Sequence, residues 1–177
     1  ISHIHEDHFD PKFLNAYIEE YPGTKIIIAK QTPPILKNSL KKYNFFFIEV
    51  DEIKIGDIEV GLFSNKAHGD LIDIDSAACF RFQNEIIINM NDCSFDESQA
   101  NQINKWCKNI RPTLGLFSYT GASAFPHMYF YENNEKRNKI IESLINSEMD
   151  LFDRYRDFFN PEYSLPFAGT YWLGGPL

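Results

Sequence analysis

Three of the chain's five histidines lie within its first ten residues, ISHIHEDHFD, together with three carboxylates. Because His3 and His5 alternate, an extended backbone would project both imidazoles to the same side, about 7 Å apart. Asp7 and His8 follow in what we expect to be a loop before a helix that Asp10 caps. Imidazoles and a carboxylate that converge at the end of a strand suit zinc or a similar first-row ion. The spacing H-x-H-x-D-H therefore predicts a metal site rather than a polar loop with incidental histidines.

The segments around these residues alternate between strand and helix patterns, which predicts an α/β fold built in layers. The first helix begins at the Asp10 cap, has Pro11 in its first turn and ends at Pro22–Gly23. A hairpin that turns at Gly56–Asp57 precedes two further strands joined by the polar pair Gln83–Asn84. Helices are expected over residues 10–23, 33–44, 94–110 and 133–159, and strands over 24–30, 45–50, 53–63, 77–82, 85–90 and 113–119, with a last strand from 163.

Composition places limits on the possible functions. A chain of 177 residues with 44% hydrophobic and 15% aromatic residues is enough for one packed domain. Its net charge of -8 disfavours nucleic acid as a main partner, because phosphate binding requires a basic surface. The apolar runs are of strand length, far below the ~20 residues of a membrane span. The cysteines form no C-x-x-C pair, which argues against a thiolate zinc site and suits a reducing cytoplasm; they are Cys79, Cys93 and Cys107.

The segment SHIHEDH resembles the H-x-H-x-D-H signature of the metallo-β-lactamase superfamily, which follows a strand and precedes a helix. The resemblance implies an αββα sandwich over residues 1–177, as a single domain that lacks its N-terminal strands. It also implies a metal-dependent hydrolase with one or two zinc ions, while iron and manganese remain open. The implied ligands are His3, His5 and His68 for one ion, Asp7 and His8 for the second, and Asp92 as the bridge.

The later ligand positions each keep an alternative. His68 lies in a loop before a strand pair, where a histidine can also cap a turn. Asp92 ends an apolar strand, where an aspartate can also serve as a helix-entry residue, and Cys93 beside it is expected to be a small buried residue. The superfamily normally supplies one more histidine after a late strand, and residues 163–172 contain none. His127 lies earlier and has three interpretations: a substitute ligand for the second ion, a contact to substrate, or a surface loop residue.

The patterns INMNDC, GASAFP and LPFAG are similar to a narrower group, the metallo-β-lactamase-like domains of CMP-N-acetylneuraminate hydroxylases and their bacterial relatives. In those hydroxylases a separate Rieske iron–sulfur domain accompanies the fold. A Rieske centre needs two cysteines and two histidines, and this sequence contains no C-x-H pair, so that function would require a further domain or partner. The chain also begins inside what resembles the end of a strand. We therefore expect a missing N-terminal stretch before Ile1.

The sequence thus supports three hypotheses. The first is a metal-dependent hydrolase of a small ester, amide, lactone or phosphodiester, in which Asp7 orients a water molecule or takes its proton. The second is the metallo-β-lactamase-like domain of a sugar-nucleotide hydroxylase. The third is a non-catalytic metal-binding domain, which the missing late histidine suggests. The predicted partner is a small-molecule substrate, and neither nucleic acid nor a membrane is expected to bind.

Overall fold

The computed structural model describes residues 1–65, 75–119 and 129–167. Strands and helices alternate along these residues, which confirms the predicted α/β class. Every predicted helix and strand has a counterpart, and the differences lie at the element ends. The helices are α1 (Pro11–Glu20), α2 (Ile35–Lys42), α3 (Glu97–Cys107) and α4 (Asn134–Phe159). The strands are β1 (Ile26–Ile28), β2 (Phe47–Glu49), β3 (Glu52–Ile55), β4 (Ile58–Ser64), β5 (Ser76–Phe82), β6 (Glu85–Asn89), β7 (Leu114–Ser118) and β8 (Tyr163–Phe167).

Six strands form one sheet in the order β3-β4-β5-β6-β7-β8. Two-residue turns join β3 to β4 and β5 to β6 as antiparallel pairs, and Gly56 and Gln83 in these turns adopt φ of 59° and 55°. β6, β7 and β8 are parallel, because α3 and α4 return the chain across the sheet between them. β1 and β2 form a separate two-stranded parallel sheet with α2 as their connection.

Side-chain caps fix where the helices that flank the site begin. The Asp10 carboxylate accepts hydrogen bonds from the backbone N–H groups of Lys12 and Phe13, at 2.8 and 3.3 Å, so the predicted cap of α1 is confirmed. Asp96 caps α3 in a capping box with Gln99, in which each side chain accepts from the other residue's backbone N–H. These caps end the preceding loops at defined residues, and the loops hold the candidate ligands.

The larger hydrophobic core lies between the six-stranded sheet and helices α3 and α4. Alternate residues of β5 and β6 point into it, because side chains alternate between the two faces of a strand. Burial of each large apolar side chain contributes roughly 1.5–3 kcal/mol, so this layer supplies much of the stability. Its residues are Ala77, Cys79, Ile86, Ile88, Met90, Cys93, Phe95, Ala100, Ile103, Trp106, Cys107, Phe117, Phe152, Tyr155 and Phe159.

The smaller core lies between the β1–β2 sheet and helices α1 and α2. Leu36 and Leu40 of α2 are buried in it, and Leu14 and Ile18 of α1 pack against it. Phe9, from the loop before α1, is 5% exposed and fills the same core. The N-terminal loop is therefore held by packing at its C-terminal end.

The face of the six-stranded sheet opposite α3 and α4 carries exposed apolar side chains. Phe80 and Phe82 of β5, Ile87 of β6 and Leu165 of β8 are 38–52% exposed. A continuous apolar sheet face is typical of a surface that packs against another layer. That residues 1–177 form a single sandwich domain without its N-terminal strands stays a prediction. Within the described ranges, no helix combines the length and apolar character needed to cross a membrane.

The contact between β4 and α3 depends on a glycine. A Cβ atom added to Gly61 would lie 2.9 Å from Cε2 and Nε1 of the buried Trp106 ring. Arg81 holds that ring in place, because its guanidinium stacks 4.7 Å from the ring centroid and donates to the Trp106 carbonyl. We expect Gly61→Ala to lower the free energy of unfolding by about 1–3 kcal/mol in urea denaturation, since the ring must shift in a packed core.

Gly23→Ala is the matched control, because a Cβ atom at Gly23 would meet nothing within 4 Å. We expect that variant to change the free energy of unfolding by no more than about 0.5 kcal/mol. Equal effects of the two substitutions would contradict the close approach of β4 and α3.

Candidate metal centre

The loop before α1 folds back on itself and gathers three histidines. Backbone hydrogen bonds from His8 N and Phe9 N to the His5 carbonyl, at 2.9 and 2.8 Å, close its turn. The backbone bends from residue 4 onwards, so the extended segment predicted for His3 and His5 is wrong. The bend brings the two imidazoles into direct contact, whereas an extended strand would hold them about 7 Å apart.

Ring nitrogens and carboxylate oxygens converge at this turn. His3 Nε2 lies 2.8 Å from His5 Nδ1. Asp92, which follows β6, places Oδ2 3.7 Å from His3 Nε2 and 3.7 Å from His8 Nε2. Asp7 Oδ2 lies 3.6 Å from His8 Nε2. The structure therefore brings together five of the residues that the sequence predicted as ligands.

This donor set fits a first-row metal ion. The ligand atoms form two overlapping groups in which all atoms lie within 4.8 Å of one another: His3, Asp7 and His8, and His3, His5 and Asp92. Ligand atoms at 2.0–2.1 Å from a tetrahedral zinc ion stand roughly 3.3 Å apart, which is close to the separations seen here. Imidazole and carboxylate ligands also suit iron and manganese. That these residues bind metal, and which residue belongs to which ion, stays a prediction.

The Ser2 hydroxyl orients the rings of His3 and His8 through their Nδ1 atoms. Its Oγ lies 3.0 Å from His3 Nδ1 and 2.9 Å from His8 Nδ1. In both rings the Nδ1 atom therefore faces the serine hydroxyl, while the Nε2 atom faces Asp92. A proton on Nδ1 leaves the Nε2 lone pair available to a metal ion.

Asp75, the residue before β5, belongs to the site although the sequence did not single it out. Its Oδ1 lies 3.1 Å from His3 Nδ1. The residue is 5% exposed, so its carboxylate faces the protein interior rather than solvent. The sequence places three aspartates close together before this strand, at positions 70, 73 and 75, and residue type alone does not distinguish them.

A signal for Asp75 was nevertheless present in the predicted β5–β6 hairpin. Its two-residue turn pairs Phe82 with Glu85, as the structure confirms. In an antiparallel pair that register, continued beyond the strand ends, would place Asp75 opposite Asp92. A bridging role predicted for Asp92 thus indicated that Asp75 would lie beside the same site.

The charges of the site act on two neighbouring groups. Burial lowers the pKa of the His3 imidazole, but the hydrogen bond and charge of Asp75, with the charges of Asp92 and Asp7, outweigh it and the pKa is raised. Burial and the charges of Asp75 and Asp92 raise the pKa of the Cys93 thiol well above its usual range. A thiol that stays protonated is a poor metal ligand. Cys93 is 1% exposed, as predicted for a small buried residue.

Exposure rises from one side of the site to the other. The exposed fraction of the side chain is 3% for His3, 23% for His8, 36% for Asp92 and 65% for Asp7. His5 is also exposed. Among the described residues, the site is therefore closed by protein at His3 and open to solvent at Asp7. An open side is typical of catalytic metal sites, whereas structural sites are closed by protein ligands.

A buried tyrosine from α4 holds the loop that carries Asp92. The Phe95 backbone N–H donates to Tyr155 Oη at 2.6 Å, and the Tyr155 hydroxyl donates to the Cys93 carbonyl at 3.0 Å. On the other side of the loop, Asn91 Nδ2 donates to the Ser76 carbonyl at 2.9 Å. The position of Asp92 is thus tied to both α4 and β5.

Two predicted site residues, His68 and His127, lie outside the described residues. Residues 168–172, part of the region where the superfamily normally supplies a late histidine, lie outside them as well. The roles predicted for these positions stay predictions.

Comparison with solved structures confirms the fold. The metallo-β-lactamase fold protein YhfI from Bacillus subtilis aligns with 96% of this chain and 64% of its own, with a TM-score of 0.54 and 12% identity. The CmlA beta-hydroxylase E377D mutant aligns with 94% of this chain and 35% of its own, with a TM-score of 0.60 and 16% identity. An isothiocyanate hydrolase from Delia radicum gut bacteria aligns with 94% of this chain and 71% of its own, with a TM-score of 0.51 and 13% identity. At these identities the likeness establishes the fold alone.

Comparison with curated proteins gives partial matches only. A protein of Mycolicibacterium smegmatis, provisionally named as a Rieske 2Fe-2S iron–sulfur protein, is 30% identical over 100 residues. A protein of Mycobacterium tuberculosis with the same kind of name is 32% identical over 100 residues. The match covers 52% of this chain and spans 19% of the length of each relative. No protein-family model matches the chain.

The Tyr155 contacts predict a measurable loss of stability. We expect Tyr155→Phe to lower the free energy of unfolding by about 1–3 kcal/mol in urea, because the buried Phe95 N–H would lose its acceptor. Tyr21→Phe is the control, since Tyr21 is 50% exposed. A Tyr155→Phe variant as stable as the control would contradict the hydrogen bonds to the loop.

The ligand cluster predicts that the purified full-length protein contains zinc or another first-row metal. We expect His3→Ala to reduce metal bound per chain in elemental analysis, because His3 belongs to both ligand groups. If two ions bind, Asp92→Ala should also reduce the content, since Asp92 Oδ2 lies 3.7 Å from Nε2 of both His3 and His8.

Glu6→Gln controls for loss of a charge in the same loop, because Glu6 belongs to neither ligand group. Circular dichroism of each variant checks that the fold is kept. A folded wild-type protein that binds none of these metals would contradict the metal centre.

Proposed function

We propose that this chain, which has the metallo-β-lactamase fold, forms the metal-binding domain of a hydrolase of small-molecule esters, amides, lactones or phosphodiesters. The position of Asp92 Oδ2, 3.7 Å from Nε2 of both His3 and His8, carries the proposal. A carboxylate oxygen near imidazoles of both predicted ion sites is what a bridging ligand requires. The likeness to an isothiocyanate hydrolase supports hydrolysis as a reaction compatible with this fold.

The roles of the residues follow from their exposure. A zinc ion would act as a Lewis acid here and lower the pKa of a water molecule towards ~7. The buried His3, together with His5, His8 and Asp92, would hold one or two ions, with Asp7 as a further proposed ligand. Asp7 is the proposed proton acceptor, because its carboxylate is 65% exposed and lies at the open side of the site.

The open side also determines how a substrate would approach. His5 and Asp7 border it and are both exposed, so among the described residues this is the side from which a small molecule would approach the cluster. The fold does not select among the four substrate classes, because one fold hosts many reactions. His68 remains a proposed ligand and His127 a proposed ligand or substrate contact. A reducing cytoplasm remains the proposed compartment, since Cys79, Cys93 and Cys107 are free and buried.

Activity of an Asp7 variant tests the proposal. The zinc-loaded protein should hydrolyse at least one of p-nitrophenyl acetate, bis(p-nitrophenyl) phosphate, an anilide and a γ-lactone. We expect Asp7→Asn to lower kcat by about 10²–10⁴-fold, because an amide cannot accept the proton of water.

Asp7 also belongs to a ligand group, so metal content and kcat are measured on the same samples. The kcat per bound ion separates proton transfer from metal loss, and Glu6→Gln serves as the control. Absence of hydrolysis by the zinc-loaded wild type would contradict the hydrolase. An unchanged kcat per ion in Asp7→Asn would contradict the role of Asp7.

A second candidate function is supported by other observations. The chain is similar in fold to a β-hydroxylase, with a TM-score of 0.60, and in sequence to proteins named for a Rieske cluster. These likenesses favour a metallo-β-lactamase-like domain that works beside an iron–sulfur domain, as in a sugar-nucleotide hydroxylase. Because the sequence has no C-x-H pair, the cluster would have to be supplied by another segment or partner. Iron and acid-labile sulfide in the full-length gene product would support this candidate, and their absence would favour the hydrolase.

A non-catalytic metal-binding domain is the least supported of the three. A structural site is expected to be closed by protein ligands, whereas His5 and Asp7 are exposed.

A further inference from the structure

The carboxylate of Asp75 lies behind the candidate ligands and contacts two different chain segments. Oδ1 lies 3.1 Å from His3 Nδ1 in the N-terminal loop. Oδ2 accepts a hydrogen bond of 3.0 Å from the backbone N–H of Asp92, in the loop after β6. Oδ1 also accepts from the Ser76 backbone N–H at 2.5 Å.

The backbone of Asp75 is fixed as firmly as its side chain. Its N–H donates to Asn65 Oδ1 at 2.9 Å, and its carbonyl accepts from the Asn65 N–H at 3.0 Å. Asp75 is 5% exposed, and a buried charged carboxylate is stable only where donors surround it. Here His3, Ser76 and Asp92 supply those donors, on both oxygens.

We propose that Asp75 is a positioning residue that holds His3 and Asp92 so that His3 Nε2 and Asp92 Oδ2 face one metal ion. The inference rests on the proposed metal centre and extends it to a residue that does not itself bind the ion. A carboxylate that accepts the Nδ1 proton of a ligand histidine fixes the tautomer and the ring orientation, and makes the other nitrogen a better donor. Asp75 Oδ1 accepts the Nδ1 proton of His3 in this way. Asp75 Oδ2 accepts from the backbone N–H of Asp92 and so holds the backbone that carries the Asp92 carboxylate.

An amide cannot replace this carboxylate. Both Asp75 oxygens accept hydrogen bonds, whereas asparagine has one oxygen and one NH2 group. In either amide orientation the NH2 group would face a donor, either the Asp92 N–H or the Ser76 and His3 donors. Asp75→Asn therefore changes little volume but disturbs the position of one predicted ligand or the other.

Zinc affinity of the full-length protein tests the inference, measured by competition with a chromogenic chelator. We expect Asp75→Asn to weaken Zn²⁺ binding 10–100-fold, which is typical for loss of a residue that orients a metal ligand. Asp96→Asn is the matched control, because asparagine caps helices as well as aspartate does and Asp96 is four residues from Asp92. The control should bind Zn²⁺ as the wild type does.

A second measurement needs no variant and reports on His3 directly. Nitrogen-15 chemical shifts of the zinc-loaded wild type should show His3 protonated at Nδ1 and coordinated through Nε2. Coordination through Nδ1 would overturn the inference, as would wild-type zinc affinity in a folded Asp75→Asn variant. If that variant does not fold, the His3 shifts of a zinc-loaded Ser2→Ala variant decide, because Ser2 Oγ also lies 3.0 Å from His3 Nδ1. An Nδ1 proton and Nε2 coordination kept in that variant support Asp75 as the acceptor, and their loss overturns the inference. A wild type that binds no Zn²⁺ would instead refute the metal centre on which the inference rests.

Discussion

A buried imidazole needs a hydrogen-bond partner on each ring nitrogen. In His3, each ring nitrogen faces a carboxylate from a different segment of the chain. Its exposed fraction is 3%, its Nδ1 faces Asp75 and Ser2, and its Nε2 faces His5 and Asp92. Three segments must therefore be in place before this ring is satisfied: the N-terminal loop, the residue before β5 and the loop after β6. The remaining candidate ligands are arranged around this ring.

The six-stranded sheet places two of these segments side by side. Because β5 and β6 are antiparallel, the start of β5 and the end of β6 lie at the same edge of the sheet. The chain then enters α3, whose cap at Asp96 limits the length of the loop that holds Asp92. Tyr155 ties that loop to α4 from within the larger core. Packing of the helices against the sheet thus fixes the position of a carboxylate at the sheet edge.

The N-terminal loop reaches this edge from the smaller core. Phe9 is buried there, and the backbone nitrogen of Ile1 donates to the Ile27 carbonyl of β1 at 3.1 Å. The Ser2 carbonyl accepts from Gln31 Nε2 at 2.6 Å and from Ser76 Oγ at 2.8 Å. One backbone carbonyl therefore joins the β1–β2 layer to β5, next to the two histidines that the Ser2 hydroxyl orients. The candidate centre lies where the two packed layers meet.

The sequence by itself determined the order of the elements and predicted most of the candidate ligands. Turn residues, helix caps and strand patterns are local signals, so the α/β order, the Asp10 cap and the hairpin turns could be predicted from neighbours in the chain. The H-x-H-x-D-H spacing indicated metal chemistry because its residue types are unusual together.

Only the tertiary structure decided how these side chains meet. The turn closed at His5 depends on burial of Phe9 in a core formed with α2, and the contact of Asp75 with His3 depends on the packing of the N-terminal loop against the start of β5. Both depend on contacts between residues far apart in the chain, which local patterns do not specify.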